Sequence, residues 1–125
     1  LLATEGTVAS CAYHKVCSAH GIRLITPSSE DQQRLNALIY QSIKSGIRPR
    51  AQDLERIAAP LYRAGCERLI LGCTELSLIK RDFALDDRIY IDSTEVLALR
   101  TILQCGKEPV GFPTELAEAI LSSKR

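Results

Sequence analysis

The sequence has no membrane-length apolar run, no excess of charge and no methionine. No stretch approaches the roughly 20 apolar residues of a membrane-spanning helix, and the opening Leu1-Leu2-Ala3 lacks the regions of a signal peptide. The 16 basic and 15 acidic residues are interspersed and leave a net charge of +1. Neither a nucleic-acid groove nor a polybasic membrane surface is therefore indicated. We expect a cytoplasmic protein that binds a small polar molecule, not nucleic acid or membrane.

A length of 125 residues suits one compact domain with its own core. The absence of methionine, together with a start inside an apparent strand, predicts that the chain is part of a longer protein. The five cysteines are odd in number and lie within periodic segments, which favours reduced thiols over a disulfide framework. We assign residues 1–106 to one domain and residues 107–125 to a helical C-terminal extension.

Apolar residues recur at spacings that predict alternating strands and helices. Short β-rich runs predict four strands, at residues 1–4, 22–26, 66–71 and 89–91. Apolar positions at helical spacing predict helices at residues 8–19, 29–43, 50–64, 74–80, 92–103 and 114–121. Strands separated by helices pair in parallel, with crossovers covering both faces of the sheet. The expected fold class is α/β, a three-layer sandwich with a four-stranded parallel sheet flanked by helices.

Capping residues and glycines mark the predicted helix ends. Ser29 with Gln32 three residues later predicts one capping box, and Asp92 with Glu95 predicts another. Pro60 lies inside the helix predicted over residues 50–64, so we expect a kink there or a break just before it. The glycines that close helices are Gly21, Gly46, Gly65 and Gly106.

The apolar run 69–71 follows Arg68 and stops at Gly72, which is followed directly by Cys73, Thr74 and Glu75. Such a run is typical of a buried parallel strand, and ligands of open α/β sheets bind just beyond strand ends. Cys73 can be a space-filling buried thiol, or it can be a catalytic group.

The residues after Cys73 act on its thiol in opposite directions. A helix that begins at Thr74 favours the thiolate through its unpaired N–H groups, and the Thr74 hydroxyl can bind a substrate carboxylate. The charge of Glu75 opposes the thiolate. We therefore expect Glu75 to bind an ammonium group or a structural partner.

Three further segments offer polar groups. Thr4 and Thr7 lie in a turn between a strand and a helix, where they can hold a carboxylate, although helix capping is the simpler interpretation. Residues 92–95 hold the matching place after the last strand and can line the same cleft or serve only as caps. Lys44 lies near a helix C-terminus, where a cation is favourable without any other role.

Cys11, His14, Cys17 and His20 are spaced by three residues, which resembles a zinc-binding pattern. On one helix, steps of three drift by about 60° each, so the four side chains cannot surround one ion. We therefore expect no metal site. The sequence contains no phosphate loop, dinucleotide fingerprint or nucleophile elbow.

Several motifs in order resemble the second half of aspartate/glutamate racemase family enzymes, and Gly-Cys-Thr-Glu is most similar to the aspartate racemase branch. The resemblance runs from residue 1 to about residue 103. Its motifs are Leu1-Leu2-Ala3-Thr4-Glu5-Gly6-Thr7, Thr26-Pro27, Ile39-Tyr40, Ile43-Lys44-Ser45-Gly46, Gly72-Cys73-Thr74-Glu75 and Asp92-Ser93.

The resemblance implies a racemase that works without pyridoxal phosphate or any other cofactor. In such enzymes two cysteines face opposite sides of the substrate α-carbon, one thiolate removing the α-proton while the other thiol delivers one. It implies that Cys73 is one of the two cysteines and that Lys44 binds substrate, with Thr74 and Glu75 beside the thiol. Thr4 and Thr7 match the turn that faces the cleft. The implied substrate is an amino acid such as aspartate or glutamate.

The first half of the family enzymes, with its Cys-Asn-Thr, has no counterpart in residues 1–125, so the second catalytic cysteine is not assigned. We expect an N-terminal domain as a partner, a homodimer as the assembly, and little activity for this chain alone. Two alternatives stay open. One is another reaction of the superfamily, by a hydantoin racemase, a maleate isomerase or a decarboxylase. The other is a non-catalytic domain that binds a small ligand.

Overall fold

The computed structural model describes residues 1–112, 116–118 and 122. Helices and a small parallel sheet alternate along them, as expected of an α/β fold. A six-residue π-helix, Leu38–Ile43, continues directly from α3. The named elements are α1 (Glu5–Ala9), α2 (Ala12–Ala19), α3 (Ser29–Ala37), α4 (Ala51–Arg63), β1 (Leu69–Leu71), α5 (Thr74–Asp82), β2 (Tyr90–Asp92) and α6 (Ser93–Gln104).

The sheet of the described residues has two strands where the sequence predicted four. β1 and β2 pair in parallel with Leu71 opposite Asp92, and Leu2 adds an isolated parallel bridge to Leu71. Residues 22–26 form no strand, and a single backbone hydrogen bond joins them to the segment of residues 1–4. The Ile22 amide donates to a carbonyl of α2, and only the Ile25 carbonyl accepts from residue 1, at 2.6 Å. The four predicted segments therefore lie side by side, but only β1 and β2 have the hydrogen-bonding pattern of strands.

The main core lies on one face of the sheet, between β1, α3, the π-helix, α4 and α5. Alternate residues of each strand point into it, so Leu69 and Leu71 are buried whereas Ile70 and Ile91 on the other face are partly exposed. The largest fully buried apolar residues of this core are Leu2, Leu35, Ile39, Leu54, Ile57, Leu69, Leu71, Leu76 and Ile79.

The single helix predicted over residues 8–19 is wrong, because the helix is broken in two. Ser10 caps α1, and Cys11 adopts a left-handed backbone conformation with φ of 56° before α2 begins. The apolar spacing continues across the break, so periodicity alone could not reveal it. Cys11 therefore does not share a helix with His14, Cys17 and His20.

The capping box predicted from Ser29 begins one residue earlier. Ser28 is the N-cap of α3, its hydroxyl accepting from the Asp31 amide at 3.2 Å and donating to the Asp31 carboxylate at 3.0 Å. Two serines in succession allowed either register. With this register Gln32 is not needed for the capping box. Its side-chain amide nitrogen donates to the Ala3 carbonyl at 2.9 Å and so attaches α3 to the turn before α1.

α4 runs without a break through Pro60, so the expected break is not present. The helix ends at Arg63, and two residues later Gly65 has a φ of 88°, which suits glycine. α5 confirms the helix predicted after Cys73. Asp92 confirms the predicted N-cap of α6, accepting from the Thr94 amide at 2.8 Å. The helix predicted at residues 114–121 falls largely outside the described residues, and none of the described helices is long and apolar enough to cross a membrane.

Candidate active site

Three segments leave the sheet at the same edge. Because Leu2, Leu71 and Asp92 lie opposite one another in parallel register, the residues that follow each of them meet at the carboxyl ends of the strands. The Gly72 amide donates to the Leu2 carbonyl at 2.8 Å, and the Ser93 hydroxyl donates to the Leu71 carbonyl at 2.8 Å. The segments of Thr4, Cys73 and Thr94 therefore border one edge.

Gly72 allows these segments to approach closely. A Cβ atom at this position would lie 2.9 Å from a methyl carbon of Leu1 and 3.1 Å from the Cβ of Ala3. The ring of Tyr13 lies 3.5 Å from the same point. A side chain at residue 72 would thus push the neighbouring segment away from Cys73.

Cys73 is the N-cap residue of α5 and has an extended backbone, with φ of −145° and ψ of 133°. Its thiol does not cap the helix. Instead, Sγ donates to the Oε2 atom of Glu75 at 2.8 Å. The Thr74 hydroxyl donates to the same carboxylate oxygen at 3.1 Å. One oxygen of Glu75 therefore receives two hydrogen bonds at the start of α5.

Lys44 approaches the second oxygen of Glu75. Its Nζ lies 3.4 Å from Oε1, and the same ammonium lies 4.7 Å from the centre of the Tyr40 ring. The π-helix determines this position, because the Lys44 amide bonds to the carbonyl of Ile39, five residues back. π-turns occur frequently at functional sites. The structure thus brings Lys44, Cys73, Thr74 and Glu75 together at the start of α5.

The electrostatics of Cys73 favour the neutral thiol. Burial and the hydrogen bond to Glu75 together raise the pKa of the Cys73 thiol to about 11, although the Lys44 charge lowers it. The favourable end of α5 does not outweigh these effects. Conversely, the Cys73 thiol, with Thr74 and Lys44, holds the pKa of Glu75 down at about 2. In the unliganded chain the pair is therefore a neutral thiol and a carboxylate.

Thr4 and Thr7 have the capping role that the sequence favoured. Thr4 is the N-cap of α1, accepts from the Thr7 amide at 3.4 Å, and has its hydroxyl 3.0 Å from the Thr7 hydroxyl. Only one hydroxyl proton is used between these two oxygens. The other proton can still be donated to a ligand.

Sequence reasoning missed the polar pair Gln32 and Asn36 on α3. Gln32 donates to the Asn36 side-chain oxygen at 3.1 Å, and the Asn36 amide donates to the Glu5 carboxylate at 3.4 Å. The pair supports the turn that carries Thr4. Its only sequence signal was a separation of four residues, which places two polar side chains on one helix face.

Residues 92–95 support the site rather than line it with free groups. The Asp92 carboxylate is buried and accepts from the Ser77 hydroxyl at 2.9 Å as well as from the start of α6. Lys80 is also buried and pairs with Glu95 and, at 2.6 Å, with Asp87. These contacts fix α5 against α6.

All five cysteines, each within the described residues, are free thiols. Cys11 and Cys105 are exposed and Cys17 is buried, whereas Cys73 is half-buried. Among residues 1–112, 116–118 and 122, no group of three or more His, Cys, Asp or Glu side chains is arranged to hold a metal ion.

The chain resembles racemase-family proteins along most of its length. The family model described as Asp/Glu/Hydantoin racemase matches residues 1–101. An uncharacterised protein of the pnlA 3′ region of Pectobacterium carotovorum subsp. carotovorum is 34% identical over 103 residues, covering 82% of this chain and 69% of that protein. A crystal structure from Yersinia pestis, provisionally assigned as an Asp/Glu racemase, has a TM-score of 0.54 and 26% identity. That match covers 65% of this chain and 36% of the solved chain. The chain therefore belongs to the Asp/Glu/hydantoin racemase family.

Proposed function

We propose that this chain forms one catalytic half of a two-cysteine amino-acid racemase, with Cys73 acting on one face of the substrate α-carbon. The observation that carries the proposal is the position of the Cys73 thiol at the carboxyl edge of the sheet, bonded to Glu75 and near Lys44. A thiol can accept or donate a proton near neutral pH when its surroundings adjust its pKa, which racemisation requires.

The neighbouring groups suit an acidic amino acid. Lys44 offers a half-exposed ammonium group to a carboxylate, and the Glu75 carboxylate can accept from the substrate ammonium. Thr4 and Thr7 supply a free hydroxyl proton at the same edge, whereas the Thr74 hydroxyl proton is used by Glu75. Such donors stabilise the negative charge that develops on the substrate when the α-proton leaves.

We propose that the second cysteine and the opposite wall of the cleft come from an N-terminal domain, and that the working protein is a cytoplasmic homodimer. The chain spans about a third of the length of the solved racemase-like protein it matches, 36%. In the complete domain, residues 1–4 would be an inner strand between residues 22–26 and β1, and the edges of the four-stranded sheet would be residues 22–26 and β2. The isolated chain is expected to be inactive, because one of the two acid–base groups is lost.

The test is incorporation of deuterium at the α-carbon of L-aspartate and L-glutamate by the full-length protein in deuterated water. Cys73→Ala is expected to lower incorporation by about 10²-fold or more, because removal of an acid–base group has that effect. Cys105→Ala, which changes an exposed thiol outside the site, is the matched control and should keep full activity. Incorporation that is absent, or equal in the Cys73→Ala variant, would exclude the proposal.

A specific observation favours a second candidate, a domain that binds a small ligand without catalysis. A thiol whose pKa is raised to about 11 is mostly protonated and a poor base near neutrality. If the full-length protein binds aspartate but exchanges no α-proton of aspartate, glutamate or a hydantoin, this second function replaces the first.

A further inference from the structure

Resting on the proposed function, we infer that Glu75 is a positioning residue that keeps Cys73 protonated in the free protein, so that Cys73 enters the reaction as the proton donor. The contacts that support this role lie at the start of α5. This role of Glu75 is additional to its contact with the substrate ammonium group.

The hydrogen bond between Cys73 and Glu75 has a defined direction. A carboxylate only accepts, so the proton on the 2.8 Å contact belongs to sulfur. Loss of that proton would place two negative charges at the same separation, which disfavours the thiolate. The half-buried position of Cys73 adds to this preference, because burial disfavours the charged form.

Glu75 is held in place by contacts on both carboxylate oxygens. Thr74 donates to Oε2 at 3.1 Å, and Lys44 lies 3.4 Å from Oε1. The Glu75 side chain is 18% exposed, whereas that of Lys44 is 45% exposed. The carboxylate therefore stays anionic and aimed at sulfur, while the ammonium remains accessible to a ligand.

No ionisable group of the neighbouring elements that is named below contacts the Cys73 thiol as directly as Glu75 does. Lys44, at the end of the π-helix, is the cation that acts on the thiol and favours the thiolate. Glu5 on α1 contacts Asn36, and Glu95 on α6 pairs with Lys80. Among these, Glu75 is the group in direct contact with the thiol.

The proton balance of the step follows from this state. A general base on the opposite face, supplied from outside this chain, takes the α-proton as the C–H bond breaks. The S–H bond of Cys73 then breaks and its proton forms a new C–H bond on the near face. Cys73 is left as a thiolate, and in the reverse direction it is the base that removes that same proton.

The first test measures the thiol directly and needs no turnover. Alkylation by iodoacetamide is followed from pH 7 to 11 by mass spectrometry of the Cys73 peptide, with the exposed Cys105 as an internal reference. In Glu75→Gln, Cys73 should react at least about tenfold faster at pH 8, which corresponds to a pKa lower by one unit. The matched control Glu67→Gln, an exposed carboxylate outside the site, should leave the rate unchanged.

Glu75→Asp provides a second variant if Glu75→Gln does not fold. It keeps the charge but shortens the side chain, so the hydrogen bond to sulfur is lost, and the rate should rise by less than in Glu75→Gln. A Cys73 rate that equals that of the parent protein in each folded variant would overturn the inference, whatever the activity of the protein.

The second test measures the pH dependence of kcat/KM for α-proton exchange by the full-length protein. If Cys73 is the donor, activity falls at high pH as it ionises, and Glu75→Gln should move this basic limb to lower pH. A basic limb that stays in place while alkylation accelerates would contradict the donor role. If neither the parent protein nor any variant exchanges an α-proton, but Cys73 is alkylated faster in Glu75→Gln, then Glu75 does keep the thiol protonated and the proposed function is excluded.

Discussion

At the scale of single residues, the site depends on the contrast between Glu75 and Cys73. The sequence predicted both residues at the strand end, and it predicted that the charge of Glu75 opposes a thiolate. It did not predict which influence would dominate, because that depends on the 2.8 Å separation of sulfur and oxygen and on burial. Distances between side chains two residues apart vary with rotamer, and the sequence does not determine the rotamer.

The low pKa of Glu75 predicts how stability depends on pH. Its folded-state pKa of about 2 lies below the ordinary value of 4.5, so its contribution is present above pH 4.5 and is lost as the pH falls towards 2. Glu75→Gln should therefore have a lower free energy of unfolding than the parent protein at pH 6, and the difference should shrink between pH 4.5 and 2. Urea denaturation across this range, with Glu67→Gln as the control, measures it. A difference that is constant with pH would contradict the assignment.

At the scale of elements, the sequence predicted the kinds of elements better than their continuity. α3, α4, α5 and α6 lie where apolar spacing and caps placed them. The break at Cys11 and the π-helix before Lys44 were missed, because each changes the backbone geometry without changing the apolar spacing. The π-helix matters most for the site, since Lys44 approaches Glu75 directly after it.

Two helix ends with the same hydrogen-bond pattern give a matched pair of predictions. At the end of α5, the Leu85 backbone amide donates to the backbone carbonyl of Lys80, and Ala84 between them has a left-handed φ of 47°. At the end of α4, the Cys66 backbone amide donates to the carbonyl of Leu61, again five residues back, but the left-handed residue is Gly65. Glycine adopts this conformation without the steric penalty that alanine has.

Ala84→Gly should therefore raise the free energy of unfolding by about 0.5–1 kcal/mol. This is the backbone strain that the substitution relieves, minus the larger conformational entropy that glycine loses on folding. Gly65→Ala should lower it by about 1 kcal/mol. Urea denaturation with a common m-value measures both. Changes of the same sign in the two variants would show that backbone strain is not the cause.

At the scale of the whole molecule, the two faces of the sheet differ. One face packs on the core, whereas Ile70 and Ile91 on the other line an apolar cavity of about 370 Å³. Tyr13 and Leu97 border this cavity, and Leu97 is 68% exposed. The sequence predicted a sheet covered on both faces, because parallel strands are normally buried on both. Within the described residues, the second face is covered incompletely.

We propose that the isolated chain associates with itself through this face, because exposed apolar patches of this kind mark interaction surfaces. Sedimentation velocity at increasing concentration should show a dimer or larger species, and Leu97→Lys should shift it towards monomer. The matched control is Ile47→Lys, since Ile47 is 60% exposed but lines a different cavity. Equal shifts towards monomer in both variants would show that association depends on general surface hydrophobicity. A monomer at every concentration would show that the chain does not associate through this face. A dimer that is sensitive to Leu97→Lys alone would identify the apolar face as the contact between two copies of this chain.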